Sequence, residues 1–205
     1  MMTLSLLLCL IATVIPVFFG KVGVAPLWLS LQALGLGWIT LHHHHEGVSI
    51  HAFIAGLEVL LVRAWLVPSM LRRLLISQPT ARLDLMPSNL FTWGIAVTLI
   101  ILAFKFGEGA RLDLRALTLG VMAATVMMAL LVLSTNQEPT AQLVALLFME
   151  NALILFESLM PEPWPLPVHA ALSGVYLFTV WVGVWLLRQP CVPPETACAS
   201  TKEIP

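Results

Sequence analysis

Seven apolar runs, each close to the roughly 20 residues that cross a bilayer, follow one another with short connections. They cover about residues 3–19, 24–41, 48–68, 89–106, 114–134, 140–160 and 168–187. No water reaches backbone groups in the hydrocarbon layer, so such runs must form helices, which satisfy their own N–H and C=O groups. The balance of residue types agrees: 59% are hydrophobic and 10% charged, against about 25% charged in soluble domains. Mean hydropathy is +0.94. The expected fold is an all-α polytopic membrane helix bundle of about seven transmembrane helices over residues 1–187, with a short polar C-terminal tail at 188–205.

Composition also excludes function classes. A net charge of −1 leaves no basic field for a nucleic acid. The three cysteines, Cys9, Cys191 and Cys198, match neither a zinc spacing nor a disulfide framework. The first run lacks the basic n-region and small-residue cleavage site of a signal peptide, so it is expected to remain as a helix. Basic residues near the span ends set orientation. Lys21, Arg72, Arg73, Arg82, Arg188 and Lys202 fall on one side, and Lys105, Arg111 and Arg115 on the other. The expected topology therefore has the N-terminus outside and the C-terminus in the cytoplasm.

Against this apolar background the ionisable residues inside the spans stand out. The sixth run carries Glu150 near its middle and Glu157 seven residues on. Seven steps of about 100° return a side chain to nearly the same face. Gln142, Glu150 and Glu157 are thus expected to form one stripe, with Asn151 turned one step away. A carboxylate at mid-membrane costs on the order of 2.5–3.5 kcal/mol to insert. Protonation, pairing or a wet protein interior avoids that cost, and a proton relay needs each of these. Glu157 lies near a span end, where an interfacial carboxylate is the plainer reading.

The third run holds His51, Glu58 and Arg63. His51 and Glu58 are seven apart and share a face. Arg63, five beyond Glu58, stands about 140° round an α-helix, so the two are expected to meet different partners. The plainer reading has Arg63 snorkelling to the membrane edge. Pro68 is expected to end this span. The candidate proton-relay residues are Glu150, Glu157, Glu58, Arg63 and His51. The remaining polar feature is the run His42, His43, His44, His45. Its ligand spacing is not that of a closed zinc site, and a polar turn at the water surface, able to buffer protons, accounts for it. No metal and no cofactor are expected.

Two segments carry a resemblance. LLFMENALILFESLM, residues 146–160, resembles the glutamate-bearing helix of the K-type subunit of respiratory complex I. It is closer still to component E of hydrogenase-four, the formate hydrogenlyase type, which has a Met-Glu-Asn core where Met149-Glu150-Asn151 stands here. LLVRAWLVPSML resembles the same family through Arg63, placed five before Pro68, where the family more often has lysine. The K-like part would span about 114–187. The family places a second carboxylate in its last helix. Val175 occupies that position here, and the helix offers His169, Ser173, Tyr176 and Thr179 instead.

The resemblance implies a membrane subunit, not an enzyme on its own, of a complex-I-like assembly in a bacterial or archaeal cytoplasmic membrane. Such a subunit joins a redox module to antiporter-like subunits and contributes protonatable residues to the translocation axis. Its partners would be the lipid bilayer and other integral membrane subunits, both antiporter-like and anchoring a quinone or hydrogenase module. Other readings are a stand-alone transporter, a haem-bearing anchor and a structural spacer.

Overall fold

The computed structural model describes residues 2–42, 50–76, 83–87, 89–107, 113–160 and 164–188. These residues are helical nearly throughout. The helices are α1 (Met2–Phe19), α2 (Ala25–His42), α3 (Ile50–Glu58), α4 (Val67–Ile76), α5 (Leu90–Gly107), α6 (Leu114–Thr135), α7 (Pro139–Glu157) and α8 (Leu166–Arg188). A 3₁₀ turn, Val22–Val24, leads into α2, and a π-helical segment, Val59–Leu66, joins α3 to α4 without a break. Among the described residues, six helical stretches are long and apolar enough to cross a membrane, and the apolar helix Leu90–Phe106 falls just short of that length. The expected all-α polytopic bundle is therefore present, with six full spans and a shorter apolar helix beside them. The polar tail beyond Arg188 lies outside the described residues.

Local chemistry sets the helix ends. Asp113 accepts from the Ala116 N–H at 2.8 Å and caps α6. Asn89 accepts from the Thr92 N–H at 2.7 Å at the start of α5. Each bond satisfies one of the N–H groups that a helix start leaves open. Pro139 stands in the first turn of α7, where its missing N–H removes no helix bond. Gly20 lets the chain leave α1 tightly: a Cβ there would lie 2.5 Å from the Cα and O of Pro16. Gly20 and Val22 then pair with Leu85 and Leu83, in an isolated bridge centred on Lys21 and Asp84. Asn136 donates to the Leu85 carbonyl at 3.0 Å, tying the α6–α7 turn to the same short segment.

The third span corrects the sequence-based expectation. Pro68 does not end it; the helix runs on to Ile76. A proline inside an α-helix loses one backbone bond and presses its ring against the carbonyl four residues back. Here the chain has already widened to i→i+5 bonding, and the Val67 N–H bonds to the Val62 carbonyl. The wider turn gives Pro68 room. It also changes which residues are neighbours, because an i→i+5 repeat brings position i+5 back beside position i. Glu58 and Arg63 stand at that spacing, so the 140° separation expected of an α-helix does not apply.

α1 packs on α2 and α6, α5 on α6, α6 on α7, and α2 against the π segment and α7. α8 lies over α7, α3 and α4 and buries only a narrow stripe: His169, Ser173, Tyr176, Val180 and Val184. Its Val175, Phe178, Trp181 and Trp185 are exposed. Exposed apolar side chains continue around the bundle, as on Leu4, Leu27, Phe53 and Phe91. A surface of this kind in a multi-span helical protein faces lipid or other membrane helices.

Candidate functional site

Midway along the bundle, helices α1, α2, α7 and the π segment meet through a chain of polar side chains. Arg63 donates from Nη1 to Asn151 Oδ1 at 2.9 Å. Asn151 donates from Nδ2 to Gln32 Oε1 at 2.9 Å. Gln32 donates from Nε2 to Thr13 Oγ1 at 2.9 Å, and Thr13 donates to the Cys9 carbonyl at 3.0 Å. Every side chain in this series is buried. Guanidinium can only donate, so each amide must face its oxygen toward Arg63 and its nitrogen away. The direction of the whole chain follows from that one charge.

Arg63 is 1% exposed and does not snorkel. Its guanidinium carbon sits 4.2 Å from the centre of the Tyr176 ring, where the face of the π-system attracts a cation. Two carboxylates, Glu58 and Glu150, act on it through space. Among the described residues neither comes within the 4.0 Å of an ion pair with Arg63. Glu150 accepts from Thr179 Oγ1 of α8 at 2.8 Å. Its other oxygen, Glu58 Oε1 and Arg63 Nε are buried with no hydrogen-bond partner among the described residues. A dry interior penalises such atoms by about 1–3 kcal/mol each, so this is a place for ordered water with several polar neighbours.

Farther along α7, Glu157 Oε1 accepts from the Trp164 backbone N–H at 3.2 Å and lies 2.7 Å from His169 Nε2. Glu157 is the last residue of α7 and is buried within the bundle. Trp164 and His169 thus both reach Glu157, which sets the start of α8 level with the end of α7.

The structure thus places Glu58, Arg63 and Glu150 together and Glu157 with His169 nearby. Glu58 also acts electrostatically with the Glu157–His169 pair. His51 belongs to α3, but its side chain lies outside the described part. Two positions on α7 have partners that the expected stripe does not specify. Gln142 donates to the Asn136 carbonyl at 3.0 Å near the helix start. Asn151, one step off the stripe, is fully buried and is the hub of the network. The helix packs on two sides, against α2 and α6 as well as α8, so neighbouring positions 150 and 151 both meet protein.

Gln32 and Thr13 were not singled out from the sequence. The available signal was a lone amide in the apolar α2: such a group in lipid finds a partner on another helix. All four polar residues noted in the last helix face the site: His169 and Thr179 bond to Glu157 and Glu150, Tyr176 carries Arg63, and Ser173 is buried between them.

His43, His44 and His45 lie outside the described residues, and His42 caps the end of α2 through Nδ1 near the Trp38 carbonyl at 3.1 Å. Among the described residues no group of His, Cys, Asp or Glu is gathered for a metal. Replacing His42 to His45 by serine is expected to leave membrane abundance within about twofold, since His42 is exposed and changes at exposed positions cost little. Loss of abundance restored by one particular metal would show a true site instead.

Compared with protein families, with curated proteins and with solved structures, the chain matches none.

Proposed function

We propose that this chain is a membrane subunit of an ion-translocating, complex-I-like assembly, in which Glu150 and Glu58 exchange a proton beside Arg63. One observation carries the reading: a buried arginine at mid-bundle, held by an amide chain, with two carboxylates in electrostatic reach and neither locked to it. Intramembrane ionisable groups are costly and serve transport or relay in most cases. One cation balances one carboxylate, so the other is the natural holder of a proton. Movement of that charge balance between Glu58 and Glu150 is a two-state element of the kind that a coupled partner can drive. The Met-Glu-Asn and Arg-to-Val-Pro segments support the family assignment. Redox chemistry, nicotinamide, haem and clusters belong to partner subunits in this reading, as do the antiporter-like units and the quinone or hydrogenase anchor. The excess of basic residues at the α1–α2, α4 and α8 ends supports placing that side in the cytoplasm.

A stand-alone transporter is the second reading. It is favoured by the π segment, since transporters use irregular helices near the midplane. A groove of about 490 Å³, bounded by Leu27, Trp65 and Arg72, lies beside the end of that segment rather than at Glu150. Extraction of native membranes in a mild detergent separates the readings. The protein is expected in a large particle with several other membrane polypeptides. Recovery of most of it as a free 22.5 kDa chain would sink the subunit assignment.

A further inference from the structure

We propose that α3, α7 and α8 enclose a half-channel that admits water and protons to Arg63 and Glu150 from one membrane face, the face at which α7 ends and α8 begins. The argument is the change of character along each helix at a common level. α3 and α8 both start at that face. α8 presents His169, Ser173 and Tyr176 to the interior, then Val180 and Val184. α3 and its continuation carry the half-buried Glu58, bury Val59 and Arg63, then bury Val67 and Leu71. α7 runs the other way and, read from its end, buries Glu157, then Leu155 and Ile154, which join an apolar cluster with Val59 of the π segment, then Asn151 beside the half-buried Glu150, then Leu147 and Val144.

The contacts that register the helices put these changes side by side. His169 meets Glu157, Arg63 meets Asn151 and Tyr176, and Thr179 meets Glu150. At 1.5 Å per residue the polar half rises roughly 9–10 Å from the Glu157–His169 level to Arg63. Beyond Arg63 the buried valines and leucines of all three helices join one continuous apolar cluster with Leu29 of α2 and Phe148 of α7.

Buried polar atoms without a protein partner among the described residues occupy the polar half: Ser173 Oγ, Glu58 Oε1, Arg63 Nε and Glu150 Oε2. Ordered water typically bonds about three such groups and is costly to remove from them, whereas an apolar enclosure stays dry. Water bonded to these atoms would give a proton a path from Glu157 and His169 to Glu150, and the leucine–valine half offers no such groups. The inference rests on the relay reading for its function, but the wet path stands or falls by itself.

Thiol labelling in sealed native membranes tests it. Cys9, Cys191 and Cys198 are first replaced by serine. Leu166→Cys and Arg188→Cys, at the two ends of α8, mark the two faces. A thiol reacts as thiolate and needs water to ionise, so Ser173→Cys should react with a charged, impermeant methanethiosulfonate at least about tenfold faster from the Leu166 face than from the Arg188 face. Val180→Cys should stay inert from both. If Ser173→Cys does not accumulate, Ala55→Cys, one turn before Glu58, takes its place. Labelling from the Arg188 face, from neither face, or equally at Val180→Cys would overturn the half-channel. One-sided labelling together with unchanged pumping in a Glu150 variant would end the relay and leave the wet path standing.

Discussion

Asn151→Leu is expected to destabilise the protein by about 3–5 kcal/mol, the usual result of stranding a buried charge by removing its partner. Asn151 is the shared point of the polar chain, accepting from Arg63 and donating to Gln32 at 2.9 Å each. Leucine fills much of the same volume but leaves Nη1 of a 1%-exposed arginine without its acceptor and Gln32 Oε1 without its donor. Water reaching the polar half would soften the loss, and the Tyr176 ring would keep part of the cation's seat. The variant should show low membrane abundance and a lowered melting temperature in detergent. The Gln32→Leu, Asn151→Leu double variant should be less damaging than the sum of the single changes, because residues in one hydrogen-bond network are coupled. Strictly additive losses would show that the network does not act as a unit.

Under the proposed relay function, Glu150→Gln is expected to separate assembly from transport. The amide keeps the side chain's shape and can still accept from Thr179 Oγ1, now 2.8 Å from Glu150 Oε1. It cannot carry a proton. The subunit should enter its complex, and electron transfer to an artificial acceptor should persist. Protons moved per electron should fall about tenfold or more, a modest loss beside the 10²–10⁴-fold that positioned proton-transfer groups contribute. Reconstituted vesicles give the ratio directly. An unchanged ratio sinks the relay role of Glu150. Glu157→Gln should do less, since Glu157 lies toward the wet end, with His169 beside it at 2.7 Å.

Spans, their order and the unusual charges inside them were legible in the sequence. Apart from the end of the third span, helix bounds came within a few residues, because the length of an apolar run and the capping residues at its ends are local properties. Glu150, Glu58 and Arg63 were legible for a related reason: a charge in lipid is expensive wherever it points, so its presence alone marks a site.

What each side chain meets was decided in the tertiary structure. Pro68 read as a stop, yet the π segment before it lets the helix continue. Arg63 and Glu58 read as meeting different partners, and Arg63 does bond Asn151 of α7; the i→i+5 segment between them leaves the two in electrostatic reach without an ion pair. Asn151 read as turned away from its neighbour's stripe, but α7 is packed on more than one side and both positions are interior. Gln32 and Thr13 carry no charge and showed little by themselves; their role exists only because α1 and α2 meet α7 at one level. A sequence fixes the polarity and period of each helix. The partners across helices come from packing, which depends on all of them at once.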